Sequence, residues 1–239
     1  MTLHLLRLRP NMTQLMRWAA ERKILPLDEG EPDYALHALL SAAFGAFCPQ
    51  PFMLLRENGK GPTLLAYSPH SGAALAAQAT AADVMVAAAI GLNSLECKPM
   101  PERFAIGRTL GFTVRVRPTV RIDREGNRDK VREVDAWLAA LRDTAPNGAP
   151  ARAEIYADWL RTRLTVGGAS AQHLVLESFH LSHVYRRDAG RRLRCVNGPV
   201  ALFHGRLAVH DPERFAELLA RGVGRHRAFG FGMLLLRPG

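Results

Sequence analysis

The sequence predicts an α+β fold built from two successive β-α-β-β-α-β units, and three observations predict it. Short alternating or apolar segments of strand length recur in the same order in both halves. Helical stretches of matching placement lie between them, and Pro-, Gly- and Asn-rich clusters separate the segments. At 239 residues the chain has room for one large or two small domains. With 48% hydrophobic and 23% charged residues it falls in the globular range. Only 7% of residues are aromatic, so the interior leans on Leu, Ala and Val.

The first strand is expected at Leu3–Arg9, where apolar residues alternate, and a short helix at Thr13–Arg22. Asp28-Glu-Gly-Glu-Pro-Asp33 reads as a loop ending in an N-cap signal, and a helix runs from Tyr34 to about Phe44, stopped by Gly45 and Pro49. Phe52–Arg56 and Thr63–Tyr67 read as strands joined by the turn cluster Asn58-Gly-Lys-Gly-Pro62. A helix at Ala81–Ile90 and a short strand near Ser94–Lys98 complete the first unit. The second begins with a strand at Leu110–Arg117, with Phe112, Val114 and Val116 on one face. Helices follow at Val131–Arg142 and Ala153–Leu164, then strands at Gln172–Leu181 and Pro199–Val209 around the basic turn Arg186–Arg192. Asp211-Pro-Glu opens a helix with an N-cap, a proline at its first position and an acid in its first turn. It ends at Arg221 against Gly222, and Phe231–Leu236 closes the unit as a strand. The order predicts tandem ferredoxin-like (RRM-like) domains, residues 1–104 and 105–239.

Charge narrows the class of partner. The chain carries +10, and the first hundred residues are neutral overall, so the whole excess lies in the second half. A GC-rich genome accounts for Arg over Lys, but not for one neutral and one basic half. A polyanion, RNA or DNA, does. Cys48, Cys97 and Cys195 are far apart, which fits neither a disulfide framework nor a zinc-type pair and points to a reducing cytoplasm. The N-terminus alternates and carries arginine among its first ten residues, unlike a signal peptide. Ala73–Leu92 is broken by Gln78, Thr80 and Asp83, and reads as an Ala-rich core helix, not a membrane span.

Three constellations could carry chemistry. On the helix from Tyr34, the residues Leu36, Leu39, Leu40 and Ala43 form the core stripe, which leaves Tyr34, His37 and Ser41 together on a non-core face. Histidine moves protons near neutrality and tyrosine orients or donates; an ordinary exposed histidine fits the same spacing. Four glycines, Gly222, Gly224, Gly230 and Gly232, surround Arg225, His226 and Arg227. Such a loop lets backbone amides approach phosphates, or it is a tight helix-to-strand connection with solvated charges. It follows a helix and precedes a strand, the reverse of a dinucleotide-binding turn. The third is a basic run, Arg115, Arg117, Arg121, Arg124, Arg128, Lys130 and Arg132, which suits a surface tracking a nucleic-acid backbone or a solvated charge run. His180 and His183, three apart on a strand, point to opposite faces. The nine histidines are scattered and no metal-ligand spacing occurs, so any nuclease chemistry is expected to need no metal or other cofactor.

The segments Phe203–Phe215 and Gly222–Leu236, together with Phe112-Thr-Val-Arg-Val-Arg-Pro-Thr119, Val134-Asp-Ala-Trp-Leu138 and the pair Tyr34-x-x-His37, resemble CasE-type CRISPR RNA endoribonucleases. The resemblance covers most of the chain and is weakest at residues 10–32 and 145–170. Arg227 stands where lysine is frequent, which alters donor geometry and keeps the charge. The resemblance implies two ferredoxin-like domains that bind the hairpin of a CRISPR repeat and cut the precursor RNA without metal. It also implies partnership with other subunits of a CRISPR complex. His37 would move the proton and Tyr34 would orient the attacking 2′-OH, leaving a 2′,3′-cyclic phosphate or 3′-phosphate. Arg225, His226 and Arg227, with the run from Arg115 to Arg132, would contact the RNA. A non-catalytic RNA-binding subunit and a nucleotide-binding enzyme remain as alternatives.

Overall fold

The computed structural model describes residues 2–24, 32–56, 61–122, 132–142, 150–187 and 193–239. The expected contacts Arg124, Arg128 and Lys130 lie outside them, as does the side chain of Arg132.

Two four-stranded antiparallel sheets organise the chain. The first holds β1 (His4–Leu8), β2 (Phe52–Leu55), β3 (Thr63–Ser68) and β4 (Glu96–Pro99) in the order β2-β3-β1-β4. The second holds β5 (Thr109–Val116), β8 (Ala169–Arg187), β9 (Leu193–Val209) and β10 (Leu234–Pro238) in the order β10-β5-β9-β8. Counted within its own half, each sheet reads 4-1-3-2, the ferredoxin-like order that the sequence predicts.

β2 and β3 of the first sheet send apolar residues into a core on each face of the sheet, whereas the edge strand β4 is mostly exposed. Phe52, Leu64, Ala66, Leu6 and Leu8 point into a core shared with α1 (Met12–Glu21), α2 (Asp33–Phe44), α3 (Gly72–Ala79) and α4 (Val84–Ile90). The alternate residues Met53 and Tyr67, with Leu5 and Leu65, belong to the core of the second half. The Tyr67 hydroxyl donates to the Leu234 carbonyl at 3.0 Å. In the second sheet β5 alternates, burying Leu110, Phe112, Val114 and Val116. These pack with Tyr156, Trp159 and Leu160 of α6 (Arg152–Val166) and Phe215 and Leu219 of α7 (Pro212–Arg221). Asp211 caps α7 as expected, accepting the Arg214 amide.

Several elements differ from the sequence expectation. The helix expected at Ala81–Ile90 forms as α4, but the stretch Ala73–Leu92, expected as one Ala-rich helix, is two, because Ser71 and Asp83 each cap one: Ser71 Oγ accepts the Ala74 amide at 3.3 Å and Asp83 Oδ1 the Met85 amide at 2.8 Å. Asp33 is not an N-cap but the first residue of α2, after Pro32, and its carboxylate is used elsewhere. The start of the helix expected at Val131–Arg142 is strand β7 (Arg132–Asp135), paired with β6 (Thr119–Ile122); only α5 (Ala136–Arg142) is helical. Asp135 ends the strand by accepting the Trp137 amide at 2.8 Å. β8 and β9 run well beyond their expected ends, pairing with each other as far as Arg187 and Leu193, whereas β5 accompanies β9 only from Ala201 to Ala208. The last strand starts at Leu234, since Gly230 and Gly232 adopt positive φ (77° and 80°), which breaks the extended run. Among the described residues, no helix is long and apolar enough to cross a membrane.

Candidate active site

The glycine-rich loop folds back onto the start of α2. Gly222, Gly224, Gly230 and Gly232 all have φ between 75° and 80°, backbone that other L residues rarely adopt. A Cβ on Gly232 would stand 2.3 Å from the Val223 carbonyl oxygen, so this position tolerates no side chain. The loop is tied down twice: the Gly232 amide donates to the Arg115 carbonyl at 2.7 Å and the Val223 amide to the Gly232 carbonyl at 2.8 Å. Phe231 is fully buried and, with Val200, forms a small core beneath Phe229.

Phe229 is the contact that joins the constellations. Its ring centroid lies 5.2 Å from that of His37, edge to face, and 5.9 Å from that of Tyr34. Tyr34 and His37 are themselves 6.5 Å apart, and both are half-buried. Burial lowers the His37 pKa from its ordinary value of 6.5, so the imidazole is neutral at pH 7 and able to accept a proton. Ser41, on the same helix face, lies 3.6 Å from the Cys48 sulfur, and burial raises the pKa of that thiol.

The ion pair that latches α2 to the second sheet was invisible in the sequence. Asp33 Oδ2 accepts from Arg115 Nη1 at 2.8 Å, with 7% and 20% of the two side chains exposed. Burial pushes the Asp33 carboxyl up to about 7, against the charges of Arg56 and Arg117, and it is ionised above that value. Arg115 is pushed down to about 10 by burial and by Arg117, and remains a cation at neutral pH. Its guanidinium lies 4.4 Å from the Phe231 ring centroid.

The basic residues divide by environment. Arg117 is 1% exposed, against Gly198 and 5.7 Å from the Phe231 ring. It is a structural cation, and the reading of Arg117 as part of a solvent-facing track is corrected; Arg115 is tied to Asp33 and keeps a fifth of its side chain exposed. Arg121 is exposed on β6. Glu133 of β7 gathers two side chains of the loop: Arg225 pairs with Oε1, and His226 Nε2 lies 2.7 Å from Oε2. The His226 bond, and then the charges of His226 and Arg225, hold the Glu133 carboxyl below its usual range against burial. The His226 side chain is 7% exposed and anchors the loop to β7 through Glu133. Arg225 stays half exposed, and Arg227 Nη1 donates to the Arg221 carbonyl at 2.7 Å. Arg225 and Arg227 border a cleft of about 760 Å3 that Phe47, Cys48 and His70 also line.

Along nearly its whole length the chain fits one family description: a family model described as CRISPR associated protein matches residues 3–238. The chain belongs to the CRISPR-associated protein family. A curated relative, CRISPR-associated endoribonuclease Cse3 of Thermus thermophilus, is 29% identical over 148 residues, which span 59% of this chain and 61% of that protein, under two thirds of its length. A Cse3 endoribonuclease structure bound to 19-nt RNA aligns over 100% of both chains, with a TM-score of 0.65 at 22% identity. Cas6e from Escherichia coli str. K-12 does so with a TM-score of 0.51 at 16% identity. At these identities the structural likeness shows the shared fold. The CasE-type resemblance read from the sequence agrees with this family. In this CRISPR-associated chain, the Tyr34–His37 face and the basic loop are remote in sequence yet in contact. Phe229, Asp33 and Glu133, which make or hold that contact, carried no periodic signal. Among the described residues, no group of three His, Cys, Asp or Glu is placed to hold a metal ion.

Proposed function

We propose that the protein is a metal-independent endoribonuclease that binds the hairpin of a CRISPR repeat and cleaves precursor crRNA by attack of a ribose 2′-OH on the adjacent phosphorus. The carrying observation is the packing of Phe229, from the cationic loop, against His37 and Tyr34. It puts a neutral imidazole and a phenol beside a phosphate-attracting edge. In this mechanism His37 takes the 2′-OH proton, Tyr34 orients that hydroxyl, and Arg225 and Arg227 attract the phosphate. The P–O5′ bond breaks and the leaving 5′ oxygen takes a proton from water, giving a 2′,3′-cyclic phosphate and a 5′-OH, while His37 returns its proton to solvent. The same reading places the protein in the cytoplasm with other subunits of a CRISPR complex, and divides the chain into units 1–104 and 105–239. The RNA-bound Cse3 structure and the CRISPR RNA-guided surveillance complex among the similar structures support it.

Incubating purified protein with repeat RNA and mapping the products tests the proposal. Cleavage is expected to persist in excess EDTA, because the nucleophile is the substrate's own hydroxyl; inhibition reversed by a divalent ion would overturn metal independence.

Affinity is expected to fall steeply with salt, since each phosphate contact adds roughly 0.9 to the log–log slope by analogy with duplex DNA. Replacing Arg225 and Arg227 together by alanine is expected to make that slope shallower by about two units. Replacing Arg7 and Arg9, in the neutral half, leaves it unchanged. A wild-type slope in the loop variant would remove the loop from the RNA interface.

A further inference from the structure

The cleft beside the loop has two chemically distinct sets of lining residues. α2 ends at Phe44, and a 3-10 turn, Gly45–Phe47, turns the Phe47 ring toward the start of α3. There it stacks on His70, with centroids 3.8 Å apart and planes 10° from parallel. Both rings are half-buried and line the cleft, and neither belongs to the proton-transfer pair. Arg221, Arg225 and Arg227 line the same cleft, as does Phe229, the residue against His37. A flat aromatic pair in one cleft with guanidinium groups matches one chemical object in particular, a nucleotide with its base unpaired. Bases stack on aromatic rings whatever their identity, while the attached phosphate seeks the cations. A duplex offers neither a free base face nor an isolated phosphate, and a neutral peptide would bring no anion to the exposed Arg225. At about 760 Å3 the cleft falls in the size range of small-ligand sites.

We propose that this cleft is a subsite for a single unpaired nucleotide flanking the cut, its base stacked on the Phe47–His70 pair and its phosphate held by Arg225 and Arg227. The proposal rests on the ribonuclease reading above and adds to it a determinant of where the strand is cut. The stack grips a nucleotide outside the hairpin, so it sets the register between hairpin and reacting phosphate. Phe47 and His70 are therefore positioning residues.

The test uses a CRISPR-repeat hairpin RNA whose cut is first mapped with the wild-type protein. An abasic ribose is then placed in turn at each unpaired position within three nucleotides of the cut. One position is expected to lose about 10-fold in affinity with wild-type protein, the scale of one base–aromatic stack. Phe47→Ala with His70→Ala is expected to lose about the same on intact RNA and nothing further on the abasic RNA. His70→Phe retains a ring and is expected to keep both affinity and cleavage, which separates stacking from proton transfer. Thermal unfolding identifies any variant that fails to fold, and His70→Phe carries the comparison in that case. Equal abasic losses in wild type and double alanine variant, or a wild type indifferent to every abasic position, would overturn the subsite while normal cleavage left the ribonuclease reading standing. A wild-type protein that cleaves no repeat RNA would overturn both.

Discussion

Replacing His37 by alanine is expected to slow single-turnover cleavage by about 10²–10⁴, the usual contribution of a general acid–base group, with hairpin affinity nearly unchanged. The imidazole sits on the non-core face of α2 against Phe229, so its removal opens no cavity among Leu36, Leu39 and Leu40. The wild-type rate should follow the same group. Burial holds the His37 pKa below 6.5, so the neutral base accumulates as pH rises through that lowered value and the rate levels off above it. The sign is the same for folding: the unfolded chain binds this proton more readily, so the contribution of His37 to stability diminishes as pH falls below 6.5. A loss under tenfold in His37→Ala, or a wild-type rate that does not fall at any pH below 6.5 at which the protein stays folded, would take the histidine out of the proton-transfer step. An unchanged output would favour the non-catalytic RNA-binding alternative.

The second large effect concerns the latch beneath the site. Asp33→Ala is expected to destabilise the protein by about 3 kcal/mol at pH 8, where Asp33 is ionised. That value is the low end for breaking a buried ion pair, because Arg115 keeps a fifth of its side chain in solvent. For a chain of this length it corresponds to a fall of about 6–12 °C in Tm, measurable by calorimetry. Asp33→Asn, which retains an acceptor for the Arg115 donor, should lose less. Because Asp33 immediately precedes Tyr34, cleavage should fall in both variants even below their melting temperatures. A Tm within about 2 °C of wild type for Asp33→Ala would show that Arg115 is satisfied without it.

The parts of the fold that were legible in the sequence are those whose cause is local. Alternation in Thr109–Val116 and the Asp211-Pro212-Glu213 start both act within a few residues, and both elements form where expected. The β6–β7 pair was missed because its partners, Thr119 to Ile122 and Arg132 to Asp135, are short and bounded by polar residues, so that Arg132–Asp135 reads equally well as the start of a helix. Arg115 and Arg117 read as surface cations because they open a run of seven basic residues, a density that suits a nucleic-acid backbone or solvent. Here they meet Asp33 and Phe231 instead, and only the tertiary structure supplies those partners. The site was legible by the same rule. Tyr34 and His37 share a helix face, which periodicity reports, and the glycines mark a constrained loop. That Phe229 would complete the arrangement was not, because no periodicity links residue 229 to residue 37.

That separation has a consequence for the newly made protein. Chains emerge from the ribosome N-terminus first, and contacts distant in sequence form after local ones. A nascent chain that has reached residue 220 already contains Tyr34, His37 and the whole of the first sheet. It still lacks Phe229, Arg225 and Arg227, and the Gly232 amide that binds the Arg115 carbonyl. Synthesis therefore supplies Tyr34 and His37 early and the loop that packs against them almost last. In the proposed mechanism, a polypeptide abandoned before residue 220 carries the histidine without Arg225 and Arg227, so incomplete translation products are expected to cleave no RNA.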